Sequence, residues 1–110
     1  MGKDDLIKKL RQGNFVRANG EVLRMINLLR SKYNKLSGIG RVLAERGIAE
    51  DEFVDSVNFL AEEGYIHLRE VATKEAASLA DSDYADLEAK LTGKGIRLLA
   101  GGITDNQIEI

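Results

Sequence analysis

The chain has 110 residues, 44% of them hydrophobic and 31% charged, the composition of one globular domain able to bury about two thirds of its unfolded surface. It contains no Cys, which excludes a disulfide framework and a thiolate metal centre. The formal charge of −2 hides a division: residues 1–49 hold eleven Lys or Arg against four acids, and residues 50–110 hold five against fourteen. Asymmetry of this kind bears on partners rather than on fold. The opening MGKDDLIKKL puts charges where a signal peptide needs an apolar run, and no stretch approaches the ~20 apolar residues of a membrane span. A cytoplasmic protein that does not enter a membrane is expected.

Lys3 to Gln12 carries Leu6, Ile7 and Leu10 at helical spacing, and Gly13-Asn14 is expected to end that helix. It defines an N-terminal arm, residues 1–14, too short to be stable without packing, that either completes the core or pairs with a second subunit. From Glu21 to Tyr33 the residues Val22, Met25, Ile26, Leu29 and Tyr33 form one apolar stripe, with Arg24, Asn27 and Arg30 opposite. Ile39, Val42 and Leu43 mark a third helix, for which Ser37 and Asn34 compete as N-cap. Gly38 and Gly40 within it suggest close approach of another helix. Gly47-Ile48-Ala49 then reads as a tight turn. The next helix opens on Glu50, Asp51 and Glu52, carboxylates that suit the positive end of the helix dipole, and buries Phe53, Val57, Leu60 and Ala61. Gly64 is its expected left-handed stop.

After Gly64 the period switches from 3.6 to 2, with Ile66 and Leu68 pointing one way and His67 and Arg69 the other. Tyr65–Val71 should pair antiparallel with Asp86–Leu91, whose Leu87, Ala89 and Leu91 share a side. Between them ATKEAASLADSDY forms a long loop of about a dozen residues, near the upper end of ordinary connections, with a helical turn expected in EAASLA. Thr92 suits the N-cap of a last helix, Gly93 to Ala100, stopped by Gly101-Gly102. The tail, residues 103–110, has no evident partner in the sequence and is expected either to be disordered or to dock on another chain.

Little in the chain carries catalytic chemistry. The one histidine, His67, lies on an expected strand and matches no zinc spacing. Thr92-Gly93-Lys94-Gly95 lacks the upstream glycine and the following Ser or Thr of a phosphate-binding loop. The acids Glu50, Asp51, Glu52 and Asp55 do not follow calcium-loop spacing. No enzyme activity, cofactor or metal is expected.

Helix, turn, helix and then directly a strand is the core of a winged helix. The expected fold is α+β and mostly α: a winged helix-turn-helix over residues 20–102, with a three-helix core, a two-stranded wing and extra N-terminal and C-terminal helices. The phrases VLRMINLLR, EFVDSVNFLAEEGYIHLR and AKLTGKGIRLLAG resemble bacterial and phage winged helix-turn-helix proteins, over roughly Glu21–Gly102. FLAEEGYI looks like the end of their recognition helix, and LTGKG like the entry into their closing helix. The layout is similar to small uncharacterised proteins of Mu-like prophages.

The resemblance implies a DNA-binding, regulatory role in which the second helix of the motif enters the major groove. On this chain it assigns Ser56 and Asn58 to that helix and Lys74 to the wing. A basic face would comprise Arg17, Arg24, Arg30, Lys32, Lys35, Arg41 and Arg46. Against this stands the sign of the helix: Glu50 to Gly64 holds six acids and no Lys or Arg, whereas duplex DNA carries a negative charge about every 1.7 Å. A second expectation follows, a protein-interaction or assembly module that keeps the fold without reading bases. In it Glu50, Asp51, Glu52 and Asp55 would face the basic half of a second copy, forming a homodimer, or another protein. Leu6, Ile7 and Leu10, or Ile103, Ile108 and Ile110, would supply apolar anchors.

Overall fold

A computed structural model describes residues 2–110. The chain runs α1 (Lys3–Asn27), β1 (Asn34–Lys35), α2 (Leu36–Glu45), α3 (Glu50–Glu62), β2 (Ile66–Glu70), a 3-10 turn (Tyr84–Asp86), β3 (Leu87–Leu91) and α4 (Gly93–Leu99). The fold is α+β and mostly helical, with one three-stranded antiparallel sheet of order β1-β3-β2. The expected pairing holds with Ile66 opposite Leu91, Leu68 opposite Ala89 and Glu70 opposite Leu87. The sequence reading missed β1, two residues long, which makes β3 the central strand.

The first two expected helices are one. Gly13 and Asn14 do not interrupt α1, whose 25 residues extend about 37 Å at 1.5 Å per residue. In its second half Ala18, Val22, Leu23 and Ile26 are buried in the core. In its first half every residue from Gly2 to Asn14 is exposed. The helical period explains why two helices were expected: Leu6, Ile7 and Leu10 lie roughly 140° around the axis from the core-facing stripe. The apolar phase breaks at Gly13-Asn14 although the backbone does not. At its other end α1 stops at Asn27, six residues before Tyr33, leaving Leu28 and Leu29 in solvent.

Asn34 does not cap α2. Its side-chain amide donates to the Lys32, Ile26 and Leu29 carbonyls at 3.1, 3.4 and 3.5 Å, so it closes the end of α1 instead. Ser37 lies inside α2, which has no side-chain cap. Gly40 meets the expectation of close packing, since a Cβ there would come within 3.0 Å of the Phe53 ring; Gly38 does not, with nothing within 4 Å. Helices α2 and α3 both end at a left-handed glycine, Gly47 and Gly64, with φ of 88° and 81°. In each case the following amide reaches back past the glycine: Ile48 N to Leu43 O at 3.0 Å, and Tyr65 N to Leu60 O at 2.9 Å. The turn also buries Ile48, which joins Phe53, Val57 and Leu60 in the core.

The long connection between β2 and β3 is not a free flap, and the helical turn expected in EAASLA falls at its end, where the Asp81 and Ser82 amides both donate to Ser78 O at 3.2 and 3.1 Å. Glu70 N donates to Glu75 O, Ala76 bridges Arg69, and Ala77 N donates to Leu68 O, so the segment folds back along β2. Tyr84 then sets its ring edge-on to Phe53 at 5.4 Å.

The tail docks on its own chain. Glu109 N donates to Val16 O at 3.1 Å, Asn19 Nδ2 to Gln107 O at 2.8 Å and Arg24 to Glu109 O at 3.1 Å. Ile108 is buried, and the Tyr65 hydroxyl holds Asp105 at 2.6 Å. Burial, and secondly the bond to Asp105, push the Tyr65 phenol up from 10.0 to about 12. The folded state therefore holds this proton more tightly than the unfolded state. Its stabilisation should be whole below pH 10 and lost as the pH rises toward about 12, which alkaline unfolding of wild type and Tyr65→Phe will show as curves that converge.

Gly20 lets the tail lie against α1, because a Cβ there would collide with the Glu109 carbonyl. In an open helix Gly→Ala stabilises by about 1 kcal/mol, whereas overpacking costs about 1–3 kcal/mol. Gly20→Ala should therefore give no gain in the urea midpoint, and hydrogen exchange should find residues 103–110 opened. A more stable variant with a protected tail would contradict this docking.

Candidate functional surfaces

Helix α3 is oriented by Phe53, Val57 and Leu60, which are buried against α1 and α2. That burial turns Glu50, Asp51, Asp55, Asn58 and Glu62 outward, and all five are exposed. Glu52 is half-buried and locally engaged, its Oε1 accepting the Ala49 N–H at 3.0 Å at the start of the helix. Ser56 corrects the sequence reading. It lies wholly inside, facing the core beside Val57, and is not presented to any groove. Of the two neutral residues assigned to base contact, only Asn58 reaches the surface.

Lys74, in the connection between β2 and β3, is also committed elsewhere. Lys74 Nζ sits 2.7 Å from Glu88 Oε1, and Arg69 Nε lies 3.4 Å from the same oxygen. Glu88 is buried on the central strand, and the Lys74 ammonium, bonded to it, holds its carboxyl below the usual carboxylate range against the opposing effect of burial. Arg69 covers the Tyr33 ring at 3.6 Å, so this network ties the loop, the sheet and the segment just before β1 together. The sequence held one signal for it: with Leu68 opposite Ala89, Arg69 must stand opposite Glu88.

The expected basic face divides into tied and untied residues. Arg24 and Arg46 converge on Glu21 Oε1 at 3.4 and 3.2 Å. The Arg46 hydrogen bond is the main cause of the lowered Glu21 pKa. Arg30 bonds Asn27 at 2.8 Å. Arg17, Lys32, Lys35 and Arg41 are exposed and make no ion pair among the described residues. They do not form an unbroken positive field. Lys35 lines a hollow with Glu70, Asp81, Asp83 and Asp86, and Arg41 lines another with Glu50. Arg11, on the arm, shares a third with Asp51, Glu52 and Asp55.

Two apolar surfaces are bare. Leu28, Leu29 and Val42 are 73%, 56% and 42% exposed and line a shallow groove between the end of α1 and α2, with Met25 and Ile39 at its floor. Leu6, Ile7 and Leu10 are 53%, 38% and 68% exposed on the arm. Among the described residues no group of three His, Cys, Asp or Glu side chains is placed to hold a metal ion. Nor, among the described residues, is any helix long and apolar enough to cross a membrane. Lys94, in the run that superficially suggests phosphate binding, donates to the Glu63 carbonyl at 2.9 Å and lies over the Tyr65 ring, while Thr92 Oγ1 accepts from Gly95 N at 3.0 Å. That run is a structural joint between α4 and the end of α3.

No protein-family model matches the chain, and neither a curated protein nor a solved structure matches it.

Glu88→Gln leaves the Arg69 and Lys74 cations without their shared carboxylate and should lower stability by about 1–3 kcal/mol at neutral pH. Because the folded-state pKa of Glu88 is depressed, the carboxylate stabilises above the ordinary carboxylate range and loses that effect as the pH falls through its folded value. The gap between wild type and variant in urea denaturation should close on acidification.

Proposed function

We propose that this chain is a non-enzymatic, cytoplasmic winged-helix protein that works as a protein-interaction or assembly module. The order of its elements, a three-helix core with β1 beside β3 and a connection folded over β2, supports the winged-helix reading, as does the resemblance to bacterial and phage proteins of that fold. The observation that carries the functional reading is the outward face of α3. Glu50, Asp51, Asp55 and Glu62 stand on it with Asn58 and no cation. Pressed into a major groove, that face would meet phosphate repulsion with almost nothing to offset it. Against a basic protein surface the same carboxylates steer encounter and set register.

The alternative, regulatory DNA binding, draws support from the exposed and unpaired Arg17, Lys32, Lys35 and Arg41. It would place the duplex along α1 and α2 rather than on α3.

Fluorescence anisotropy with a mixed-sequence duplex at about 50 mM salt separates the two. The wild type should not bind. Glu50→Lys/Asp51→Lys/Asp55→Lys should gain salt-sensitive binding of about tenfold or more, because the scaffold is then freed of its repulsive face. A photo-crosslinking residue at Asn58 should capture protein rather than nucleic acid in cells. Steeply salt-dependent binding by the wild type, with the slope reduced by about 2 on neutralising Lys35 and Arg41, would overturn the module reading in favour of DNA.

A further inference from the structure

We propose that the arm, residues 3–14 of α1, pairs antiparallel with the same segment of a second copy of this chain. The pairing goes beyond the reading of α3 and does not require it, although Arg11 borders the hollow that Asp51, Glu52 and Asp55 line.

The arm is a helix continuous with the rest of α1, and only its end, where Arg11 and Asn14 border a hollow with α3, comes near the body of the chain. Every residue from Gly2 to Asn14 is exposed, and a Cβ added at Gly13 would meet nothing within 4 Å. A helix of about twelve residues is marginal by itself in water, and an interior glycine costs about 1 kcal/mol more. Yet the arm carries Leu6, Ile7 and Leu10 on one side, turned away from the core-facing stripe, where the body of its own chain cannot cover them.

The charges beside that stripe say what does. Asp4 and Asp5 occupy the first turn, and Lys8, Lys9 and Arg11 follow. Asp4 and Arg11, seven residues apart, flank the stripe on the same side. Two arms laid antiparallel about a point between Ile7 and Lys8 bring Asp4 of each level with Arg11 of the other. A parallel pair would turn the two copies of Asp4 and Arg11 to opposite sides of the contact and set Arg11 beside Lys9, which is repulsive. The helix dipole accounts for acids in a first turn, but it does not account for an apolar stripe facing away from the domain. Self-complementary charge around bare leucines fits a second copy.

The contact is smaller than a standard interface, so association should fall in the range of about 10 μM to about 1 mM. Sedimentation equilibrium across that range should show a reversible dimer, and protection of the Lys8–Gln12 amides in hydrogen exchange should rise with concentration. Leu6→Gln/Leu10→Gln should be monomeric with an unchanged melting curve, because neither side chain touches the core. Asp4→Arg should weaken the dimer about tenfold, reversing two pairs at once, and Asp4→Arg/Arg11→Asp should restore it. A wild type that stays monomeric at about 1 mM, with arm exchange independent of concentration, would overturn the proposal. So would a dimer that survives the leucine substitutions, or a double charge swap that fails to rescue. The leucine substitutions lie outside the hollow that Arg11 shares with α3, so they test the dimer independently of what α3 binds.

Discussion

The fold depends on one short joint, Glu63-Gly64-Tyr65, where four elements are fastened together. The Gly64 carbonyl accepts the Thr92 hydroxyl at 2.6 Å, the Glu63 carbonyl accepts Lys94, and the Tyr65 carbonyl accepts the Thr92 amide at 3.0 Å. Gly95 packs so closely on that carbonyl that any side chain there would strike it. On its other side the Tyr65 phenol holds the tail through Asp105. The end of α3 is thereby locked to the start of α4 and to the last residues described. Since α3 is also fixed along its length by Phe53, Val57 and Leu60, it has little freedom to rotate. Which side chains it shows to solvent is settled by the core and not by any partner.

That rigidity gives the acidic face of α3 its weight in the functional reading. A mobile helix could turn its acids aside on meeting DNA. One held at both ends presents Glu50, Asp51, Asp55 and Glu62 to whatever approaches. The same argument applies to the connection between β2 and β3, whose single lysine is drawn inward by Glu88. In both places the groups that would contact nucleic acid are either acidic or already used to hold the structure, and the untied cations share their hollows with carboxylates.

Much of this was legible in the sequence. Short elements with one period and one stop, α2, α3, β2, β3 and α4, could be read within a residue or two, because a left-handed glycine or a capping threonine marked their ends. What could not be read were features set by distant contacts. Asn34 is a good N-cap by residue type, but carbonyls at the end of α1 and in the turn after it compete for its amide and win. Ser56 is polar and was placed outward, yet the burial of Val57 beside it and of Phe53 a turn earlier carries it inside. The continuity of α1 was hidden because its two halves bury, or leave bare, different sides. An apolar phase shift looks like a break when helices are found by periodicity alone. The tail was illegible for a simpler reason: its partner, the Gly20 region, lies almost a whole chain away.

That separation has a kinetic meaning. The bonds from Asn19 to Gln107 and from Arg24 to Glu109 span 88 and 85 positions, so the loop they close is nearly the full polypeptide. Closing it repays its entropy only once Val22, Leu23 and the sheet have assembled into a surface on which Ile108 can seat. Residues 103–110 thus form a clasp that snaps shut late in folding and gives way early in unfolding. A thermal excursion too mild to disturb the core would still bare the side of α1 around Val16 and Gly20.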